Sequence, residues 1–164
     1  MPLDDELINK VTWKIPNALV LVGSRAGDEW NGMTTSWVTQ VAQEPVLIGI
    51  GVEKTAFTHE LIAEGGVFSL CTVSREDRAI VRKFTKPVEV DTDAMTLNGF
   101  PFHDGVTGAP ILNQAPAYLD CEVRQAVDTG GHTFFIGEVV DAAFQAAEET
   151  EVLRMEDTRM NYGG

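Results

Sequence analysis

Cysteine is nearly absent: Cys71 and Cys121 are the only two in 164 residues, each inside an apolar segment and in no metal-like spacing. A disulfide framework and a metal centre are therefore not expected, and both thiols read as buried, reduced, small hydrophobes. Basic residues are scarce as well, 12 lysines and arginines against 25 aspartates and glutamates, for a formal charge of −13. A nucleic-acid binder must neutralise phosphates with cations, so neither DNA nor RNA is expected as a partner, and any anionic ligand must be held by local donors. No apolar run approaches the roughly 20 residues of a membrane helix. The opening Met1-Pro2-Leu3-Asp4-Asp5-Glu6 is acidic, unlike the basic start of a secretory signal. No membrane association and a cytoplasmic location are the expectation. Two phosphate-binding signatures are also missing, a Gly-x-Gly-x-x-Gly after the first strand and a Gly-Lys-Ser/Thr loop.

What is present is an ordinary globular composition, 44% hydrophobic and 23% charged, on a chain long enough to enclose one core. A single domain over 1–164 is expected, with a barrel core at about 11–147 and a C-terminal tail at 148–164. An acidic first turn predicts a short helix through Lys10, broken at Ile15-Pro16-Asn17. Ala18 to Gly23 then reads as a strand, with the turn chemistry of Gly23 to Asp28 after it. The returning strand is expected to run unbroken from Asn31 to Val41, rich in β-branched and aromatic residues. Glu44-Pro45 turns the chain into Val46 to Val52, a near-continuous apolar core strand.

From Thr55, read as a helix cap, a helix carries Phe57, Leu61 and Ile62 on one side and stops at Gly65-Gly66. Val67 to Val73 is strand again. Ser74 opens a second helix whose stripe is Ile80, Val81 and Phe84, ended by Pro87. The stretch 88–116 reads as loops and edge strands. Ala117 to Ala126 and Thr133 to Phe144 close the chain as a hairpin over Asp128-Thr129-Gly130-Gly131. Six or so strands, local hairpins and short helices give a mainly β fold class, an antiparallel barrel or sandwich.

Two segments carry candidate chemistry. Asn31-Gly32-Met33-Thr34-Thr35-Ser36-Trp37 sets three successive hydroxyls on a strand, which places donors on both faces of a sheet; the plainer reading is a solvent-facing edge strand. Gly49-Ile50-Gly51-Val52-Glu53-Lys54-Thr55-Ala56-Phe57-Thr58 places glycines late in a buried strand, where a flat ligand can approach backbone. Lys54, Thr55 and Thr58 follow as charge and hydrogen-bond partners for a phosphate monoester. The plainer reading of this segment is a capped helix with a solvated lysine.

Together these segments resemble the flavin reductase-like family of FMN-binding split β-barrels. The resemblance extends over Glu44-Pro45, Gly66-Val67-Phe68-Ser69-Leu70, Gly108-Ala109-Pro110-Ile111-Leu112, Tyr118-Leu119-Asp120-Cys121-Glu122-Val123 and the closing His132 to Val140. It implies an antiparallel split β-barrel with a few short helices, working as a homodimer. FMN, or FAD in its place, would lie against Asn31, Met33, Thr34, Thr35, Ser36 and Trp37, with Val52, Glu53 and Lys54 along the ring edge. Lys54 and Thr58 would be at the phosphate, beside Thr55, and Phe84 and Tyr162 near the ring; the plainer readings are a core anchor for Phe84 and a frayed tail for Tyr162. NAD(P)H would be the co-substrate, stacking on the exposed flavin face and passing hydride to it, with no obligatory acid or base. A monooxygenase is the partner such reductases supply; the alternative is an electron carrier or redox sensor without enzymatic turnover.

The family pairs His with a preceding Asp in the final hairpin, whereas this chain reads Gly130-Gly131-His132. His132 therefore keeps two readings, a donor beside the flavin and a surface histidine of a hairpin, with Asp128 as a nearby substitute carboxylate. His59 and His103 are expected to be structural.

Overall fold

The computed structural model describes residues 2–161. Helix α1, Asp5–Thr12, forms where the Asp4 side chain accepts from the Glu6 and Leu7 amides at 3.0 and 3.2 Å, satisfying donors that a helix start leaves free. Eleven strands follow among the described residues: β1 Val20–Ala26, β2 Glu29–Thr35, β3 Val38–Gln43, β4 Val46–Glu53, β5 Val67–Cys71, β6 Val90–Asp91, β7 Thr96–Leu97, β8 Phe100–Asp104, β9 Pro110–Leu112, β10 Ala117–Asp128 and β11 His132–Phe144. Helix α2, Phe57–Gly65, and the single turn α3, Ile80–Lys83, interrupt them.

The strands make two antiparallel sheets, a seven-stranded one in the order β2-β1-β5-β10-β11-β4-β3 and a four-stranded one in the order β6-β7-β8-β9. The outermost strands of the large sheet, β2 and β3, are consecutive in the chain, joined only by Ser36 and Trp37. Val20 and Val22 of β1 share one buried cluster with Ile48, Ile50 and Val52 of β4, although three strands separate β1 from β4 in the sheet. Only a sheet rolled on itself brings them together, so the large sheet is a barrel that stays open along the β2/β3 seam. This is the mainly β, antiparallel split barrel expected from the sequence.

Alternation along β1 builds a second core. Leu19 and Leu21 face away from the barrel interior into a cluster with Val73, Ile80, Phe84, Leu97, Phe102 and Ile111. That cluster is roofed by the small sheet, whose β9 packs on β1, β2 and β5. The stretch 88–116, read from sequence as loops and edge strands, thus contributes four short strands that cover β1.

Three local expectations change. The strand expected from Asn31 to Val41 is two strands, because the chain crosses the open seam at Ser36-Trp37. Strand β1 continues through Gly23 to Ala26, and the turn falls at Gly27, whose φ is +56°. Gly23 serves close approach, since a Cβ there would meet the Pro110 carbonyl and the Ser69 hydroxyl. The N-cap of α2 is Ala56 with no side-chain hydrogen bond, so Thr55 does not cap it, and Phe57 at the helix start is exposed while Leu61 and Ile62 are buried.

Both cysteines are buried and free; burial pushes the Cys71 thiol up to about 11 and the Cys121 thiol up to about 12, so they remain protonated at neutral pH. Helix α2 lies so close to β1 that a Cβ on Gly65 would run into the Arg25 carbonyl oxygen, whereas Gly131 has open space around it. Gly65→Ala should cost about 1–3 kcal/mol in urea unfolding, the usual penalty of overpacking. Gly131→Ala should stay within about 0.5 kcal/mol; equal effects would refute this close packing.

Candidate functional site

The site is built at the barrel's open edge. Strand β2 pairs with β1 on one side, and its other side is met by α3 and its C-terminal end: the Thr34 amide donates to the Phe84 carbonyl at 3.1 Å, and the Thr34 hydroxyl to the Val81 carbonyl at 2.6 Å. This docking leaves a groove of about 600 Å³ between β2, the end of β4 with the start of α2, and the loop 84–88. Met33 and the exposed Phe57 supply apolar surface, while Phe84, 1% exposed, backs the groove from the second core. Phe84 is held by Gly32, where a Cβ would press on its ring at 3.0 Å, and by Phe100 with centroids 5.8 Å apart. The Asn31 amide donates to the Thr58 hydroxyl at 2.9 Å, so β2 and α2 are latched across the groove by a side-chain bond.

Of the residues singled out from the sequence, Asn31, Met33, Thr34, Glu53, Thr58 and Phe84 line this groove together. Thr35 is buried against β1, opposite Val20. Ser36 is buried too, its Oγ without a hydrogen-bond partner among the described residues. Val52 is fully buried in the barrel interior. Thr55 is exposed and off the groove. Tyr162 lies outside the described residues.

Lys54, Trp37 and His132 belong to a neighbouring cluster at the tip of the β10–β11 hairpin. The Lys54 ammonium pairs with Asp128 at 2.7 Å, and its amide donates to the Gly131 carbonyl at 3.0 Å. The rings of Trp37 and His132 lie 5.1 Å apart. The glycine face of β4, read from sequence as the seat of a flat ligand, is covered by the chain's own rings: Trp37 packs on Gly51, and Phe134 on Gly49. His59 bonds the Thr133 hydroxyl at 2.7 Å, and burial, with Lys54 nearby, lowers its pKa from the ordinary 6.5. His103 bonds Asn113 at 2.7 Å.

The groove also contains residues the sequence reading passed over, chiefly Phe57, Lys86 and Pro87. Lys86 has no ion-pair partner among the described residues. The signal in the sequence is the run Arg82-Lys83-Phe84-Thr85-Lys86-Pro87, which sets three cations around one aromatic residue. An apolar floor, a hydroxyl and amide rim and one unengaged cation suit a flat ligand that ends in an anion. The volume falls within the ~300–1,000 Å³ usual for small-molecule and cofactor sites.

A rolled antiparallel sheet with an open seam and a groove beside its edge strand defines a split β-barrel. The sequence profile of the flavin reductase like domain matches residues 13–164, and the chain belongs to the flavin reductase-like family. It is 29% identical over 143 residues to the high molecular weight rubredoxin of Moorella thermoacetica, covering 86% of this chain and 60% of that protein. To the ferric-chelate reductase (NAD(P)H) of Archaeoglobus fulgidus it is 29% identical over 147 residues, covering 88% of this chain and 85% of that one. The solved NADH:FAD oxidoreductase of Streptomyces globisporus superposes with a TM-score of 0.80 at 27% identity, covering 94% of this chain and 90% of the other. The chain therefore spans about 60% of the rubredoxin's length and most of the other two.

The Asp128 carboxylate accepts from Lys54 and from the Gly130 amide at 2.8 Å, and both hold its pKa below the ordinary 3.8, the lysine bond foremost. A depressed carboxylate stabilises the fold above its unfolded pKa, and the contribution is lost as pH falls through the folded value. The Gly130 amide resonance should therefore titrate with a midpoint below 3.8, and Lys54→Ala should return that midpoint towards the ordinary range. An unmoved midpoint would refute the Lys54–Asp128 pair.

Proposed function

We propose that this chain is a flavin reductase that binds FMN in the groove beside β2 and reduces it with NAD(P)H. The reading extends to a cytoplasmic homodimer that hands reduced flavin to a monooxygenase or another acceptor. The observation that carries it is the groove itself: Asn31, Met33 and Thr34 of β2, Glu53 of β4, Thr58 of α2 and Phe84 at the end of α3 line one crevice in a chain of the flavin reductase-like family. Met33 and Phe57 offer apolar surface to a ring system, Asn31 and Thr34 offer polar groups to its edge, and the buried Phe84 and Thr58 hold these residues in place. Lys86 is the better phosphate partner than Lys54, because Lys54 is already held by Asp128. A cation of this kind inside the groove favours FMN, which ends in a phosphate monoester.

When bound, FMN supplies the two-electron acceptor for the hydride carried by reduced nicotinamide. The protein's part is to hold the two rings in register and to exclude water from between them. His132, packed on Trp37 at the hairpin tip, is assigned a positioning role towards the nicotinamide.

The electron-carrier reading keeps one specific support. Position 131 is a glycine with open space where a side chain would begin, and the nearby carboxylate Asp128 is engaged by Lys54, so the hairpin offers nicotinamide no free acid. The two readings separate in one assay. Purified protein with excess FMN should lose flavin absorbance on addition of NADH or NADPH. A yellow protein that dithionite reduces and both nicotinamides leave unchanged would establish the carrier instead.

The phosphate assignment has its own check. Lys86→Ala should weaken FMN binding about five- to tenfold, ~1 kcal/mol for an exposed charge-assisted bond. Riboflavin, which lacks the phosphate, should bind the variant within about twofold of the wild type, because no charge contact is lost. Equal losses for both ligands would place the phosphate elsewhere.

A further inference from the structure

Basic residues are rare in this chain, yet five of the twelve, Arg75, Arg78, Arg82, Arg154 and Arg159, gather where α3 and the turn before it meet the C-terminal turn Met155–Asp157. Two of them are committed. Arg75 reaches Asp157 at 3.1 Å and Arg154 reaches it at 3.0 Å, and their remaining nitrogens take Glu151 and Glu156, each at 3.0 Å. Two guanidiniums on one carboxylate, Arg154 foremost, hold Asp157 far below the usual carboxylate range. Its lone pairs are occupied, and it leaves little charge to neutralise anything else.

The other three, Arg78, Arg82 and Arg159, line an open crevice of about 640 Å³. None has an ion-pair partner among the described residues; Arg78 touches only the Asp157 carbonyl, at 3.4 Å. The acidic side chain on the rim, Glu156, is already taken by Arg154. Three unpaired guanidiniums facing one hollow repel each other, and an anion between them relieves that repulsion. Their planar forks match phosphate oxygens, and their faces stack on aromatic bases.

The crevice backs onto the flavin groove. Val81 lines the crevice, its carbonyl accepts the Thr34 hydroxyl, and Thr34 lines the groove. Helix α3 is therefore a wall with the arginines on one side and Phe84 and Lys86 leading into the groove on the other. We infer that the arginine crevice binds the phosphate of an adenosine nucleotide, the far end of a dinucleotide whose reactive ring enters the adjoining groove. This rests on the flavin reductase reading for the ring, while the crevice chemistry rests on the arginines. Two dinucleotides carry such an end: NADPH with its adenosine 2′-phosphate, and FAD with its adenylate.

The test uses the full chain and calorimetry with 2′,5′-ADP, which requires neither flavin nor turnover. The wild type should bind it, and Arg82→Gln/Arg159→Gln should bind it at least tenfold more weakly. Lys10→Gln/Arg124→Gln, which removes two cations outside the crevice, should stay within twofold, as should FMN affinity in both variants, which also reports their folding. A tenfold rise in the KM for NADPH relative to NADH at unchanged kcat assigns the site to the nicotinamide dinucleotide. A tenfold loss of FAD relative to FMN affinity assigns it to the flavin. Wild type that binds neither 2′,5′-ADP nor FAD, or a crevice variant that binds both as the wild type does, overturns the inference. Absence of FMN binding with 2′,5′-ADP binding intact would instead remove the flavin reading and leave the crevice standing.

Discussion

The structure turns on β1 burying both of its faces. A strand with one solvated face can sit in an open sheet, but Val20 and Val22 on one side and Leu21, with Leu19 just before the strand, on the other are all buried, so each side needs its own cover. The barrel supplies one by rolling until β4 packs against β1, and the small sheet β6–β9 supplies the other. Rolling brings β2 and β3 to the two lips of a seam that two residues, Ser36 and Trp37, must bridge. Because β2 then has a partner on one side only, its free edge is available to α3 and its C-terminal end, and the groove is the space that this docking encloses.

The same alternation decided how far the sequence could be read. The near-continuous apolar run of Val46 to Val52 and the long closing hairpin carry enough buried residues to mark themselves, and both elements stand where they were expected. The break at Ser36-Trp37 did not announce itself, because it answers to barrel closure rather than to local propensity, and β-branched residues continue on either side of it. Residues 90–112 were hard to read for a related reason: strands of two to five residues are too short to show a period, and their stability comes from roofing a core made by other segments.

For the candidate site, residue types that suit a phosphate were visible, but their engagement was not. Lys54 and Lys86 look alike in sequence; only the hairpin tip, folding back from 74 residues away, shows that Lys54 is taken by Asp128. Likewise Gly49 and Gly51 signalled a close approach to backbone, and the approach is real, but the approaching rings are Phe134 and Trp37. A glycine reports that something lies near. It does not say whether that neighbour is a ligand or the chain itself.

The pairing of charges then narrows which surfaces of this acidic protein can attract an anion. Arg25 is engaged by Asp104 at 3.2 Å and by the face of Trp30, Arg124 by Glu122 and Glu138, Lys10 by Glu6, and Arg75 and Arg154 by Asp157. Each pair lowers the field that cation could exert on a solute. Against a net charge of −13, long-range steering favours cations, so an anionic ligand is captured only where unpaired positive groups lie within a Debye length, about 8–10 Å, of its phosphate. Such groups stand on the two sides of α3, with Lys86 in the groove and Arg78, Arg82 and Arg159 in the crevice behind it. Of the other cations without an ion-pair partner among the described residues, Lys83 is on α3 itself and Lys14 is in the turn after α1, so most of the spare positive charge, though not all of it, stands around α3.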